Sequence, residues 1–91
     1  MDVNWTSKAL SDLARLHDFL AAVNKTAAAR SVRTLTAAVG RLASSPRTGE
    51  KLDEFAPSEV RRLLVGQYEI RYEIRNSLIL TLRIWHTREE R

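Results

Sequence analysis

The chain has 91 residues, 44% of them hydrophobic and none cysteine, so it forms one small domain and cannot hold disulfides, thiolate metal sites or a cysteine nucleophile. Two prolines and three glycines argue against a disordered or collagen-like chain, and no apolar run is long enough to span a membrane. The net charge of +4 is uneven: residues 1–24 sum to −1, residues 25–49 to +5 with no acid among them, and residues 50–91 to zero.

The N-terminus, Met1-Asp2-Val3-Asn4-Trp5, has neither a basic leader nor an apolar one, so a cytoplasmic protein is expected. Residues 2–5 predict a first strand. Thr6 or Ser7 can cap a helix, and Ala9, Leu13, Leu16, Leu20 and Val23 recur at steps of four and three, widened by Leu10 and Phe19. This predicts a helix over 7–23 with one apolar face. Asn24 or Thr26 can cap a second helix, over 26–44, whose stripe is Ala28, Val32, Leu35, Val39 and Leu42. So short a link makes the two helices antiparallel. Ser44-Ser45-Pro46 ends the second, because proline disfavours helical geometry in the residue before it. The excess positive charge lies on this helix and the loop after it, in Lys25, Arg30, Arg33, Arg41 and Arg47. Such a stripe suits an acidic protein segment or a nucleic acid.

After an irregular stretch from Arg47 to Glu59, three strands are predicted, over 60–65, 68–74 and 78–86. Gly66-Gln67 suits a two-residue hairpin turn pairing Val65 with Tyr68. For the next hairpin, the alternations Tyr68, Ile70, Tyr72, Ile74 and Leu78, Leu80, Leu82, Ile84 predict a three-residue loop, Arg75-Asn76-Ser77, with both sets facing the helices. That register puts Glu69 across from Arg83 and leaves Arg62, Glu69, Arg71, Glu73, Arg83 and Trp85 on the outer face. The fold class is therefore α+β: an N-terminal strand and a helical hairpin packed on one face of a small antiparallel sheet, followed by a basic tail over 87–91.

The ordered set of motifs resembles the RelE/ParE superfamily of bacterial type II toxins over nearly the whole chain. It consists of Val3-x-Trp5-Thr6-x-x-Ala9 with Asp12-Leu13, then Pro46-x-x-Gly49, Val60-Arg61-Arg62-Leu63, Val65-Gly66-x-Tyr68-x-Ile70-Arg71-Tyr72-x-Ile74, and Ile84-x-His86-x-Arg88. The close of the chain is most similar to the ParE branch. The resemblance to that branch implies a toxin that binds DNA gyrase and traps it with cut DNA. It also implies a ParD-like ribbon-helix-helix antitoxin that wraps an extended C-terminal segment around the toxin in a hetero-oligomer, with no cofactor and no membrane.

RelE-like members instead cut messenger RNA in the ribosome. Their nuclease surface carries lysines, two arginines and a C-terminal aromatic, to activate a 2′-hydroxyl and to hold the phosphate. Here the position after Tyr68 is Glu69, an anion where that surface has a cation, the lysines reduce to Lys51, and the tail ends in Glu89-Glu90-Arg91 without a tyrosine. The catalytic alternative would rest on His86, Arg88 and Lys51; the gyrase reading assigns no catalytic residue, and a third reading is a degenerate, non-toxic chain that only binds its antitoxin. Target contact is expected from Arg83, Trp85, His86, Arg88 and Arg91, since arginine and tryptophan are frequent binding anchors and a bare sheet face would expose Trp85. Antitoxin contact is expected at Arg30, Arg33 and Arg41. His17 and His86 lie too far apart, and without a carboxylate pair, to suggest a metal site.

Overall fold

The structure, a computed structural model, describes residues 1–89. Strand β1 (Asp2–Trp5) leads into helix α1 (Ser7–Ala21), then helix α2 (Lys25–Arg41), strand β2 (Glu50–Lys51), a single 3-10 turn (Asp53–Phe55), and strands β3 (Glu59–Val65), β4 (Tyr68–Arg75) and β5 (Leu78–His86). The sheet has five strands in the order β1-β5-β4-β3-β2. It is antiparallel except at one edge, where β1 runs parallel to β5. No helix among the described residues is long and apolar enough to cross a membrane.

Both helices start where a side-chain oxygen accepts from an otherwise unpaired N–H. Thr6 Oγ1 accepts from Ala9 N, and Asn24 Oδ1 from Ala27 N. They pack on one face of the sheet. Leu16, Leu35, Ala38 and Val39 meet Ile70 and Ile84, with Val3, Trp5, Leu13 and Leu63 around them. Leu42, Tyr72, Ile74 and Ile79 continue the core toward the loop after α2. The apolar face of α1 is narrower than its sequence stripe, for Leu10, Phe19 and Val23 are exposed, the last two at 76% and 90%.

The loop after α2 is tied to the sheet by Tyr72. Its hydroxyl donates to the Pro46 carbonyl at 2.7 Å and accepts from Gly49 N at 3.0 Å. Burial pushes this hydroxyl above the ordinary phenol value. Gly49 is obligatory because a Cβ there would lie 2.8 Å from both the Arg62 carbonyl and the Tyr72 hydroxyl. The Pro46-x-x-Gly49 signature thus marks a backbone stretch pressed against the sheet.

The first hairpin has the expected register, Val65 opposite Tyr68, with Gly66 at φ +58° opening the turn. The second does not. Its loop is two residues, Asn76-Ser77, with Asn76 in the left-handed region at φ 56°, so Arg75 faces Leu78 and Ile74 faces Ile79. A bulge then inserts Leu82 opposite the Arg71/Tyr72 step, and pairing resumes one residue displaced, with Ile70 opposite Ile84. Ile79 and Thr81 therefore fill the buried positions predicted for Leu78, Leu80 and Leu82, and Glu69 faces Trp85, not Arg83.

Candidate functional site

Parallel β1 covers only residues 78–81 of the β5 edge. The rest of that edge, an open row of N–H and C=O groups, is closed by side chains. Thr6 Oγ1 donates to the carbonyls of Thr81 (2.8 Å) and Leu82 (3.2 Å). Asp12 Oδ2 accepts from Ile84 N at 2.9 Å, and Arg15 Nη2 donates to the Ile84 carbonyl at 3.3 Å. Glu89 Oε1 accepts from His86 N at 2.7 Å and pairs through its other oxygen with Arg15. Asp12 is buried, and it also takes Arg83 Nε at 2.7 Å and Arg15 Nη2 at 3.2 Å. Burial acts to raise its pKa. The donors from Arg83, Ile84 N and Arg15 together outweigh that effect and hold the carboxyl below its ordinary value. The same pairing moves Arg83 further up.

On the outer face these contacts continue as a stack. The Arg83 guanidinium lies 5.0 Å from the Trp85 ring centroid, Arg71 lies 4.8 Å from the same ring, and Arg71 is also 5.6 Å from the ring of Phe55. Arg71 Nη2 donates to Glu69 at 2.9 Å, while its buried Nε finds no hydrogen-bond acceptor among the described residues. Trp85 is only 8% exposed and Glu69 2%. The face opposite the helices is thus covered by the protein's own arginines, carboxylates and rings, and the bare Trp85 expected from sequence is a buried one. Glu69, Arg71, Glu73, Arg83 and Trp85 share this face as predicted, but Leu80, predicted for the helix side, joins them opposite Glu73, and Arg83 is joined to Asp12 of α1 rather than to Glu69.

His86 is at the other surface of β5. Its ring stands edge-on to Tyr68 at 5.3 Å, and its Nδ1 accepts from Arg88 N at 3.1 Å. With Arg15, Leu16, Phe19, Leu20, Arg88 and Glu89 it lines a largely apolar groove of about 560 Å³ between α1 and the end of the sheet. The expected target residues therefore divide. Arg83 and Trp85 are in the outer stack, His86 and Arg88 are at the groove, and Arg91 lies outside the described residues. The catalytic alternative divides as well. Lys51 is on β2, at the opposite side of the sheet order from β5 and about 14 Å away across three strand spacings. No group of three or more potential metal ligands occurs among the described residues. Arg30, Arg33 and Arg41 are all exposed on α2.

Asp12 was missed as an organising residue because a single acid on a helix reads as a solvated charge. Its signal was position: it lies on the buried face between Ala9 and Leu16, where an unpaired charge is not tolerated. Arg15 and Glu89 gave no such signal, because their pairing depends on the tail folding back over 74 positions of sequence.

Two helices on one face of a five-stranded mixed sheet define a small α+β protein. The family model for the ParE toxin of the type II toxin-antitoxin system, parDE, matches residues 3–91. Toxin RelE2 of Caulobacter vibrioides is 34% identical over 85 residues, covering 92% of each chain. The chromosomal ParDE toxin-antitoxin system from P. aeruginosa includes a chain of the same fold, with TM-score 0.78 and 24% identity over 94% of this chain and 95% of that one. The chain belongs to the ParE toxin family of type II toxin-antitoxin systems.

Proposed function

We propose that this toxin inhibits DNA gyrase by binding, trapping it with cleaved DNA and carrying out no bond chemistry of its own, and that a ParD-like antitoxin neutralises it in a hetero-oligomer. The observation that carries the reading is the separation of the nuclease candidates. Lys51 stands at the far edge of the sheet from His86 and Arg88, and Glu69, where a phosphate-holding cation would be needed, is a buried acid beside Arg71. General acid-base work on a 2′-hydroxyl needs groups within hydrogen-bond reach of one reacting atom.

Target contact is assigned to the β5 end and tail, with His86, Arg88 and Arg91 as the direct residues and Arg83 and Trp85 as the stack that supports them. For the antitoxin, the groove at Leu16, Phe19, Leu20 and Tyr68 offers apolar anchors next to exposed Val23. Arg30, Arg33 and Arg41, expected from sequence to meet the antitoxin, lie on α2 outside the lining of that groove.

The test is supercoiling and cleavage by purified DNA gyrase, with the toxin alone and with its antitoxin. Cut DNA should accumulate with the toxin and disappear when the antitoxin is added. A folded toxin that leaves gyrase unaffected would overturn the reading. It would then favour the second one, ribosome-dependent messenger RNA cleavage by His86 and Arg88, which the name of the RelE2 relative and the adjacency of those two residues support.

A further inference from the structure

Apart from Arg88, the described arginines fall into two groups. Arg15, Arg47, Arg61, Arg62, Arg71, Arg75 and Arg83 each pair with a carboxylate. Arg30, Arg33 and Arg41 make no ion pair among the described residues, and residues 25–49 contain no acid to offer one. At about 100° per residue the three fall within an arc of about 80° on α2, with rises of about 4.5 Å from Arg30 to Arg33 and about 12 Å from Arg33 to Arg41. All are exposed, exposed Thr26 shares the arc, and exposed Thr34 lies about 20° beyond its edge.

We propose that this face of α2 binds the phosphate backbone of duplex DNA. Charge complementarity requires an anion, and the composition of the face selects which. Arginine serves protein interfaces too, but there it usually stands beside aromatic or aliphatic anchors in a desolvated centre. The large exposed apolar side chains of this chain are Met1, Leu10, Phe19, Val23, Phe55 and Leu64, none of them on α2. Single-stranded nucleic acid is held largely by stacking on aromatic rings. Residues 25–49 contain no aromatic. What remains is a rigid row of guanidinium and hydroxyl donors, the groups that contact duplex phosphates. The rise from Arg33 to Arg41 is close to the width of the major groove, about 12 Å, so the two can reach the phosphate rows on its two lips. The source of the duplex, DNA held at gyrase, rests on the reading proposed above; the binding itself does not.

The experiment is fluorescence anisotropy of a short labelled duplex with the full chain over a salt gradient. Three phosphate contacts predict a slope of log K against log salt of about −2.7, about 0.9 per contact. Each of Arg30→Gln, Arg33→Gln and Arg41→Gln should reduce the slope by about 0.9, and the triple lysine variant should keep it. Arg75→Gln removes the same formal charge from an existing ion pair and should leave the slope unchanged. The proposal is overturned if the triple glutamine variant, folded by circular dichroism, keeps the wild-type slope. It is also overturned if Arg75→Gln lowers the slope as much, which would mean that only net charge matters. Loss of antitoxin binding by the triple variant with DNA binding intact would give the face to the protein partner instead. No gyrase is present in this assay, so its failure leaves the gyrase reading standing, and a gyrase assay without effect leaves this one standing.

Discussion

The arginines of the sheet and those of α2 have the same chemistry and opposite employment. Arg83, Arg71 and Arg61 lie against carboxylates and rings and make part of the molecule's covering. Arg30, Arg33 and Arg41 project from a helix whose buried face is Ala28, Leu35, Ala38 and Val39 and make no ion pair among the described residues, although Arg41, in the last turn, complements the helix dipole. Near neutrality of the sheet half and a +5 sum over residues 25–49 are the one-dimensional trace of this difference. A charged residue with an internal partner is first a stability element, whereas one without a partner is free to bind.

The most severe way to break the sheet group is Asp12→Ala. It leaves Arg83 and the buried Ile84 N without their acceptor and removes the buried partner of a half-exposed pair, at an expected cost of about 2–3 kcal/mol in denaturant unfolding. The sign of its pH dependence follows from the lowered carboxyl pKa. The stabilisation is complete above the ordinary value of 3.8 and is lost as pH falls through the lower folded value. The acid limb of a stability-pH profile should therefore be shallower in Asp12→Asn than in the wild type. A smaller effect is expected from Tyr72→Phe, which leaves Gly49 N and the Pro46 carbonyl without their partner and loosens the loop following α2. Chemical denaturation should show a loss of about 1–2 kcal/mol, against almost none for substitutions on the exposed face of α2.

Much of the fold was legible because its signals were redundant. The caps were narrowed to Thr6 or Ser7 and to Asn24 or Thr26, of which Thr6 and Asn24 serve, and the stripes of both helices and the Gly66 turn each had one physically sensible interpretation. The second hairpin had two. From Leu78 to Ile84 periodicity favours the Leu78 set, but the two-residue turn at Asn76-Ser77 sends Ile79 and Thr81 inward instead, and a bulge at Leu82 changes the phase within the strand so that Ile84 still faces the core. The site was less legible for a related reason. Sequence shows that Arg83 and Trp85 alternate with core residues, but not that Asp12, 71 positions earlier, lies beside Arg83. It also does not show that two guanidiniums cover the indole. The short β2 strand and the 3-10 turn, in the stretch expected to be irregular, are too brief to leave a periodic signal.

The division of the arginines is tested most directly by thermal unfolding of Arg83→Gln beside the Arg30→Gln, Arg33→Gln, Arg41→Gln triple variant. Leaving Asp12 short of its main cation should cost about 2 kcal/mol, a fall in Tm of roughly 8–16 °C for a domain of this size. The triple variant, though it removes three charges, should melt within about 2 °C of the wild type. A triple variant that melts far below Arg83→Gln would show that α2's arginines hold the fold together, and would contradict the account.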